Sequence, residues 1–477
     1  MDYSPYLAQI KHLAPEITLL AFGAAALLAH LFARGSGHRL SGMVALAGLG
    51  TAALVLAFTP LSGGEIYSGT LNVDPFSMYL KMIFLIAAAI TVTLSFRFFE
   101  VEGFETGEIY YLVLFSVIGM MFTVSAVDLI TFYISFETFA IISYILAGIF
   151  KKELRSSEAG IKYFILGILS SAIMLLGMAI LFGITGETGF ARIAGALADA
   201  DATVAMAGMV LVMTGLFFKI ALVPFHMWTP DVYEGTPTPL VVLLSTAPKA
   251  AALAVLIRLV TTVFARFETQ WVAIFTAIAI ATMFWGNIAA LVQDNVKRMM
   301  GFSSIAHAGY LMIGLAAAGS AGTTALLFYL LAYFFMNATA FALILLVQKG
   351  QGFGERVDDL RGLARHAPLS AACIVVALLS LAGIPPTAGF IGKYYLLLAA
   401  MEKEMYALVA AGAINTVISI FYYFRIGRAL FMESGQGELP MKGTGGVTLV
   451  ICGSALFLLL AGIFPSRLTE YVWALIK

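Results

Sequence analysis

Four ionisable side chains stand inside otherwise apolar stretches of this chain: Glu137, Lys219, Lys249 and Lys393. A charge near the middle of a bilayer costs roughly 2.5–3.5 kcal/mol on the gentlest scale, so such groups pair with one another or line a water-filled path. Residues that gain and lose protons, strung through a membrane, are the parts of a proton relay. A carboxylate within about 4–6 Å favours a protonated lysine, whereas burial favours the neutral amine. Moving a carboxylate away from a lysine would release a proton, so one contact can act as a valve.

Each group also has a plainer reading. Glu137, in DLITFYISFETFAIISYILAGIF, reads as the only carboxylate well inside a span and as the charge partner of a lysine; the alternative is a protonated acid bonded to a hydroxyl. Lys219 lies in GLFFKIALVPFHMWTP, where Pro224 is expected to break the helix five residues after the lysine. Broken membrane helices are tolerated only where the freed backbone is buried in protein or faces water. The break therefore points to a hydrated cavity, against the alternative of a lysine snorkelling to the surface. Lys393 lies in LLSLAGIPPTAGFIGKYYLLLAA, seven residues after the second proline of the Pro385-Pro386 break. Lys249 follows Pro248 among small alanines and reads as an intermediate carrier; a packing lysine bonded to carbonyls is its alternative. His307, beside Ser303, Ser304 and Tyr310, could extend a hydrogen-bonded chain through its two ring nitrogens or be a satisfied structural histidine. His226 reads as an access residue at the end of the first broken span. His12, His38 and His366 read as loop residues, and Lys81 as a snorkelling lysine.

The elements that must position these groups are membrane helices. Hydrophobic residues make up 61% of the chain and charged residues 11%, with a mean hydropathy of +0.97; soluble domains carry roughly 25% charged residues. A net charge of zero suggests no nucleic-acid partner. Cys373 and Cys452 read as small buried hydrophobes without metal-ligand or redox spacing. The N-terminal MDYSPYLAQIKHLAPE lacks the layout of a removable signal peptide. The fold expected is an all-α integral membrane protein, 1–477 forming one polytopic domain of about 14 spans of about 20 residues each. The first runs over 15–33, the broken ones over 205–228 and 368–400, and the last over 443–464, with 465–477 a short interfacial helix. With both termini outside, roughly 16 Lys/Arg fall on the cytoplasmic side and about 7 on the other. The cytoplasmic group includes Arg34, Lys151, Lys152, Arg356, Arg361, Arg425 and Arg428.

No GxGxxG, P-loop, CxxC cluster or haem-type histidine pair is present, so energy must come from an ion gradient or a partner. Three runs, KIALVPFHMWTPDVYEGTPTP, DNVKRMMGFSSIAHAGY and SLAGIPPTAGFIGKYY, resemble the antiporter-like membrane subunits of bacterial NADH–quinone oxidoreductase (respiratory complex I). PDVYEGTP is most similar to the subunit N branch, because sister subunits tend to carry alanine-histidine in place of Val232-Tyr233. The resemblance covers about the whole chain. It implies 14 helices with two inverted five-helix repeats around broken helices, here 109–264 and 271–432. It implies that Glu137 and Lys219 match the family's glutamate–lysine pair, Lys249 its central lysine and Lys393 its terminal lysine, with His307 at a common histidine position. It further implies a cytoplasmic (inner) membrane location and a chain without its own cofactor. NADH, FMN, iron–sulfur clusters and quinone would then lie in partner subunits, among membrane, peripheral and sister antiporter-like ones. A subunit of a multi-subunit cation/proton antiporter is the alternative. A membrane scaffold is a third reading, disfavoured because three mid-span lysines face one carboxylate.

Overall fold

A computed structural model describes residues 4–32, 37–103, 107–349, 352–432 and 444–475. Arg34 and residues 476–477 lie outside the described residues. Thirteen helices among the described residues are long and apolar enough to cross a membrane. The expected span at 368–400 is instead two half-length helices, so the thirteen long helices and this broken pair together answer to the fourteen expected.

In chain order the helices that matter are α1 (Ala14–Phe32), α2 (Gly37–Phe58), α3 (Pro75–Glu102), α4 (Glu108–Ser125), α5 (Leu129–Ala147), α6 (Leu154–Thr185) and α7 (Ala202–Ile220). They continue with α8 (Trp228–Gly235), α9 (Thr238–Leu244), α10 (Ala247–Arg258), α11 (Glu268–Leu291), α12 (Val296–Ala316) and α13 (Ser320–Ala342). The last are α14 (Pro368–Ala382), α15 (Ala388–Glu402), α16 (Tyr406–Met432), α17 (Gly445–Ile463) and α18 (Pro465–Ala474). Among the described residues the paired strands are two short hairpins, Glu65–Ile66 with Leu71–Asn72 and Gln348–Lys349 with Gly352–Phe353.

The chain divides into two compact units. Unit 1 comprises Met1–Val92, Glu105–Ile220 and Ala247–Glu268; unit 2 comprises Thr93–Phe104, Ala221–Thr246 and Thr269–Lys477. Within unit 1, α6 turns Ile161, Ile165, Leu169 and Leu176 outward at helical spacing, the stripe of a helix that meets an apolar surround. Within unit 2, α12 and α13 bury nearly every side chain and form its core.

Four sequence readings are corrected here. Lys81 does not snorkel: it is fully buried and its ammonium sits 2.7 Å from Glu16, itself buried at the start of α1. Glu137 is therefore not the only carboxylate inside a span. A partner in a distant helix relieves the cost of burying the lysine, and no local spacing reveals such a partner. Cys373 and Cys452 are half-buried rather than enclosed, with their sulfurs 3.8 Å apart. His12 is also buried, its Nδ1 2.8 Å from the Pro60 carbonyl.

Candidate functional site

Unit 1 carries Glu137, Lys219 and Lys249. Asp128 caps α5 by accepting from the Ile130 and Thr131 amides at 2.9 and 3.0 Å, which fixes the start of the helix bearing Glu137. Lys219 stands in the last turn of α7, where a cation suits the partial negative charge of the helix end. That helix stops at Ile220, one residue past the lysine rather than five. A proline ring clashes with the carbonyl four residues before it, so Pro224 ends the helix at Ile220, and Ala221 leaves it in the left-handed region at φ 69°.

The Lys219 ammonium donates to the Tyr163 hydroxyl at 3.0 Å. It lies 5.1, 5.1 and 4.9 Å from the ring centres of Phe139, Tyr144 and Tyr163, an aromatic cage supplied by α5 and α6. A Cβ at Gly167 would collide with the Tyr144 hydroxyl, so this glycine makes room for one wall of the cage. Glu137 is half-buried and accepts from the Ser171 hydroxyl. Its charge lies within electrostatic range of Lys219, but the lysine's direct contacts are aromatic and phenolic. Lys249 is buried on the first turn of α10, directly after an interruption at Ser245–Thr246 in the stretch Thr238–Val263. This third interruption was missed, although Pro248 and the serine-threonine pair before it carried the signal.

Unit 2 carries Lys393 and His307. Lys393 projects from α15 across the break and donates to the Leu381 carbonyl at 2.9 Å, an acceptor in the last turn of α14 left unsatisfied by the helix itself. Its ammonium lies 4.6 Å from the Tyr310 ring centre. Gly383 closes α14 at φ 77°, and a Cβ there would lie 2.9 Å from Lys393 Cδ. The position needs glycine both for its backbone and for the lysine's path.

His307 is bound at both nitrogens: Nδ1 is 2.5 Å from the Tyr329 hydroxyl and Nε2 is 3.0 Å from the Tyr423 hydroxyl. A neutral imidazole donates through one nitrogen and accepts through the other, so exchanging tautomers reverses the direction of this chain. Tyr423 continues to Ser303. A second chain runs from Ser245 to Asn337 at 2.6 Å, Asn337 to Tyr333 at 3.2 Å and Tyr333 to Ser304 at 2.7 Å. The Tyr333 ring lies 5.1 Å from the His307 ring. Ser303 thus meets His307 through Tyr423, and Tyr310 is a ring neighbour at 6.1 Å whose hydroxyl donates to the Gly412 carbonyl at 2.9 Å. Tyr329, Tyr333 and Asn337 were overlooked, yet their spacing of four along α13 marks one polar face. His226 is buried against Trp285, with ring centres 5.4 Å apart.

PDVYEGTP is absorbed into the same unit. Arg298 of α12 bonds Asp231 at 2.6 Å and Glu234 at 3.0 Å, fastening α8 after the first break, and Tyr233 lies 3.4 Å from the Ser304 hydroxyl.

Residues 126–419 match the family described as NADH:quinone oxidoreductase/Mrp antiporter, TM. NADH-quinone oxidoreductase subunit N of Trichlorobacter lovleyi is 40% identical over 471 residues, covering 97% of this chain and 96% of that protein. A chain of respiratory complex I from Thermus thermophilus superposes with a TM-score of 0.81 at 30% identity, covering 96% of this chain and 98% of that one. A chain of the Mrp complex from Dietzia has the same fold, with a TM-score of 0.83 at 22% identity over 98% of this chain and 97% of that one.

Proposed function

The chain belongs to the NADH:quinone oxidoreductase/Mrp antiporter transmembrane family, and from that premise we infer that it is the proton-translocating membrane subunit of type N in an NADH–quinone oxidoreductase. The near full-length likeness to a named subunit N supports the quinone oxidoreductase over a free-standing antiporter. The observation that carries the translocating role is a buried lysine in each unit, set beside a helix break and held by one oxygen and an aromatic face.

Protons enter from the cytoplasmic side to Lys219, pass laterally through Lys249 and His307, and reach Lys393 for release outside. Glu137 biases Lys219 towards the protonated state, and the tyrosine and serine hydroxyls bonded to His307 carry the proton between imidazole tautomers. Quinone reduction elsewhere in the complex supplies the energy. Two antiporter-like repeats, 109–264 and 271–432, each enclose a proline break with a buried lysine beside it. The chain lies in the bacterial cytoplasmic membrane with both termini outside, and the short helix Pro465–Ala474 rests at its surface. Two cysteines do not fit a four-thiolate iron–sulfur cluster; the flavin, the clusters and the quinone are assigned to partner subunits, and the chain sits among those peripheral and antiporter-like membrane subunits.

Purification through a tag on this chain tests the assignment. Peripheral subunits that oxidise NADH are expected to co-purify. Recovery of cation/proton antiporter subunits with no NADH oxidation would favour the alternative membership.

A further inference from the structure

Cys373 and Cys452 are 79 residues apart in the chain, yet their sulfurs lie 3.8 Å apart where α14 meets α17 in unit 2. Cys373 follows the first residue of α14, Pro368, and Cys452 the first residue of α17, Gly445. At a rise of about 1.5 Å per residue both thiols stand roughly 8–11 Å along their helices. Both are half-buried, and their neighbours turn outward: Leu369 one turn before Cys373, and Leu449 and Leu456 on either side of Cys452. Gly453 leaves open space beside Cys452. The pair thus lies at an apolar outer surface of the unit, within reach of a solute dissolved in hydrocarbon. The same two helices meet again at the second break, where a Cβ at Gly462 of α17 would collide with the Pro386 carbonyl and the Thr387 backbone. Leu381, whose carbonyl accepts from Lys393, lies about two turns beyond Cys373 on α14.

We propose that Cys373 and Cys452 form an oxidation site at which a hydroperoxide dissolved in the membrane joins α14 to α17 by a disulfide and immobilises the second break. One sulfur attacks the O–O bond, so that it becomes a sulfenic acid and an alcohol leaves. The second sulfur then displaces the sulfenic oxygen, forming the S–S bond and releasing water. Two thiols lose two hydrogens and two electrons in all, and the hydroperoxide is reduced to alcohol and water. The sulfurs must close by about 1.8 Å to reach the roughly 2.05 Å of a disulfide. Because they already touch, the second step is intramolecular and outruns further oxidation of the sulfenic acid. The new bond adds a covalent tether to the packing at Gly462, so α14 is held to α17 at both ends of its lower half and the Leu381 carbonyl loses its freedom to shift against Lys393. The effect on transport rests on the translocating role of Lys393; the formation of the cross-link does not.

The test uses the intact complex in membrane vesicles, reduced with dithiothreitol, freed of it and then treated with cumene hydroperoxide. Peptide mass analysis without reduction is expected to find Cys373 and Cys452 joined. Most of the pumping per NADH oxidised should be lost with the cross-link and regained on renewed reduction. Cys452→Ala should pump as the wild type does and keep its pumping through the same treatment, which separates the cross-link from other oxidative damage. Free thiols at both positions after treatment would overturn the proposal in favour of a pair shielded by a neighbouring subunit. Sulfinic or sulfonic acids on the separate residues would overturn it in favour of independent oxidation. A cross-link that leaves pumping per NADH unchanged, or an equal loss in Cys452→Ala, would overturn the immobilised break. The mass of the joined peptides reports on the cross-link and Lys219→Ala on the translocating role, so failure of one is told from failure of the other. The wild-type mass and its reversal by dithiothreitol decide the matter even if the variant fails to assemble.

Discussion

Lys219 and Lys393 are held alike: one neutral oxygen, from Tyr163 or from the Leu381 carbonyl, and an aromatic ring within about 5 Å. A ring face contributes on the order of 0.5–2 kcal/mol to a buried cation, less than a buried carboxylate in contact. Removing a hydrogen bond to a charged group costs about 1.5–3 kcal/mol. Tyr163→Phe, which keeps the ring, should therefore lower the pumping rate about tenfold while the complex still assembles, read by a pH-gradient dye at matched complex abundance. Lys81 and Glu16 are the opposite case, an enclosed ion pair. Taking one partner from a buried pair costs about 3–5 kcal/mol, so Glu16→Ala should sharply reduce assembled complex in a thermal challenge, and Glu16→Leu/Lys81→Met should restore much of it. The four intramembrane groups were legible because charge is rare in apolar spans. The partners were not legible, either for Lys219 or for Lys81, since Tyr163 and Glu16 reach them through tertiary packing.

The breaks show the same division at the scale of elements. Proline and glycine announced the interruptions at 224 and 385–386, and the clash with the carbonyl four residues earlier explains why α7 ends beside Lys219. The interruption at Ser245–Thr246 was harder to read, because short helices on either side make one continuous apolar run of sequence. A left-handed backbone costs a non-glycine residue roughly 1–2 kcal/mol, and at Gly383 a side chain would also crowd Lys393. Gly383→Val should thus lower both assembly and pumping, whereas Gly427→Ala, with open space around it, should leave pumping within about twofold of wild type. Comparing the two variants in membrane vesicles separates the demand of this turn from a general intolerance of change in the helices.

At the scale of the whole molecule, composition alone was enough to read an all-helical membrane protein, and thirteen long helices with one broken pair match the expected number closely. The division into two compact units, each drawing on separate stretches of the chain, was not visible in the sequence. Sidedness rests on the excess of Lys/Arg in alternate loops. Lys152→Cys should react with a membrane-impermeant maleimide only from the cytoplasmic face, and Lys403→Cys only from the opposite face; the reverse pattern would invert the assigned topology. The central claim is that this chain carries protons, and the most direct measurement is proton pumping per NADH oxidised in inverted membrane vesicles, comparing wild type with Lys219→Ala at matched complex abundance. Loss of most pumping in an assembled complex is the expected result. Unchanged pumping per electron would contradict the relay and leave the buried lysines as structural charges.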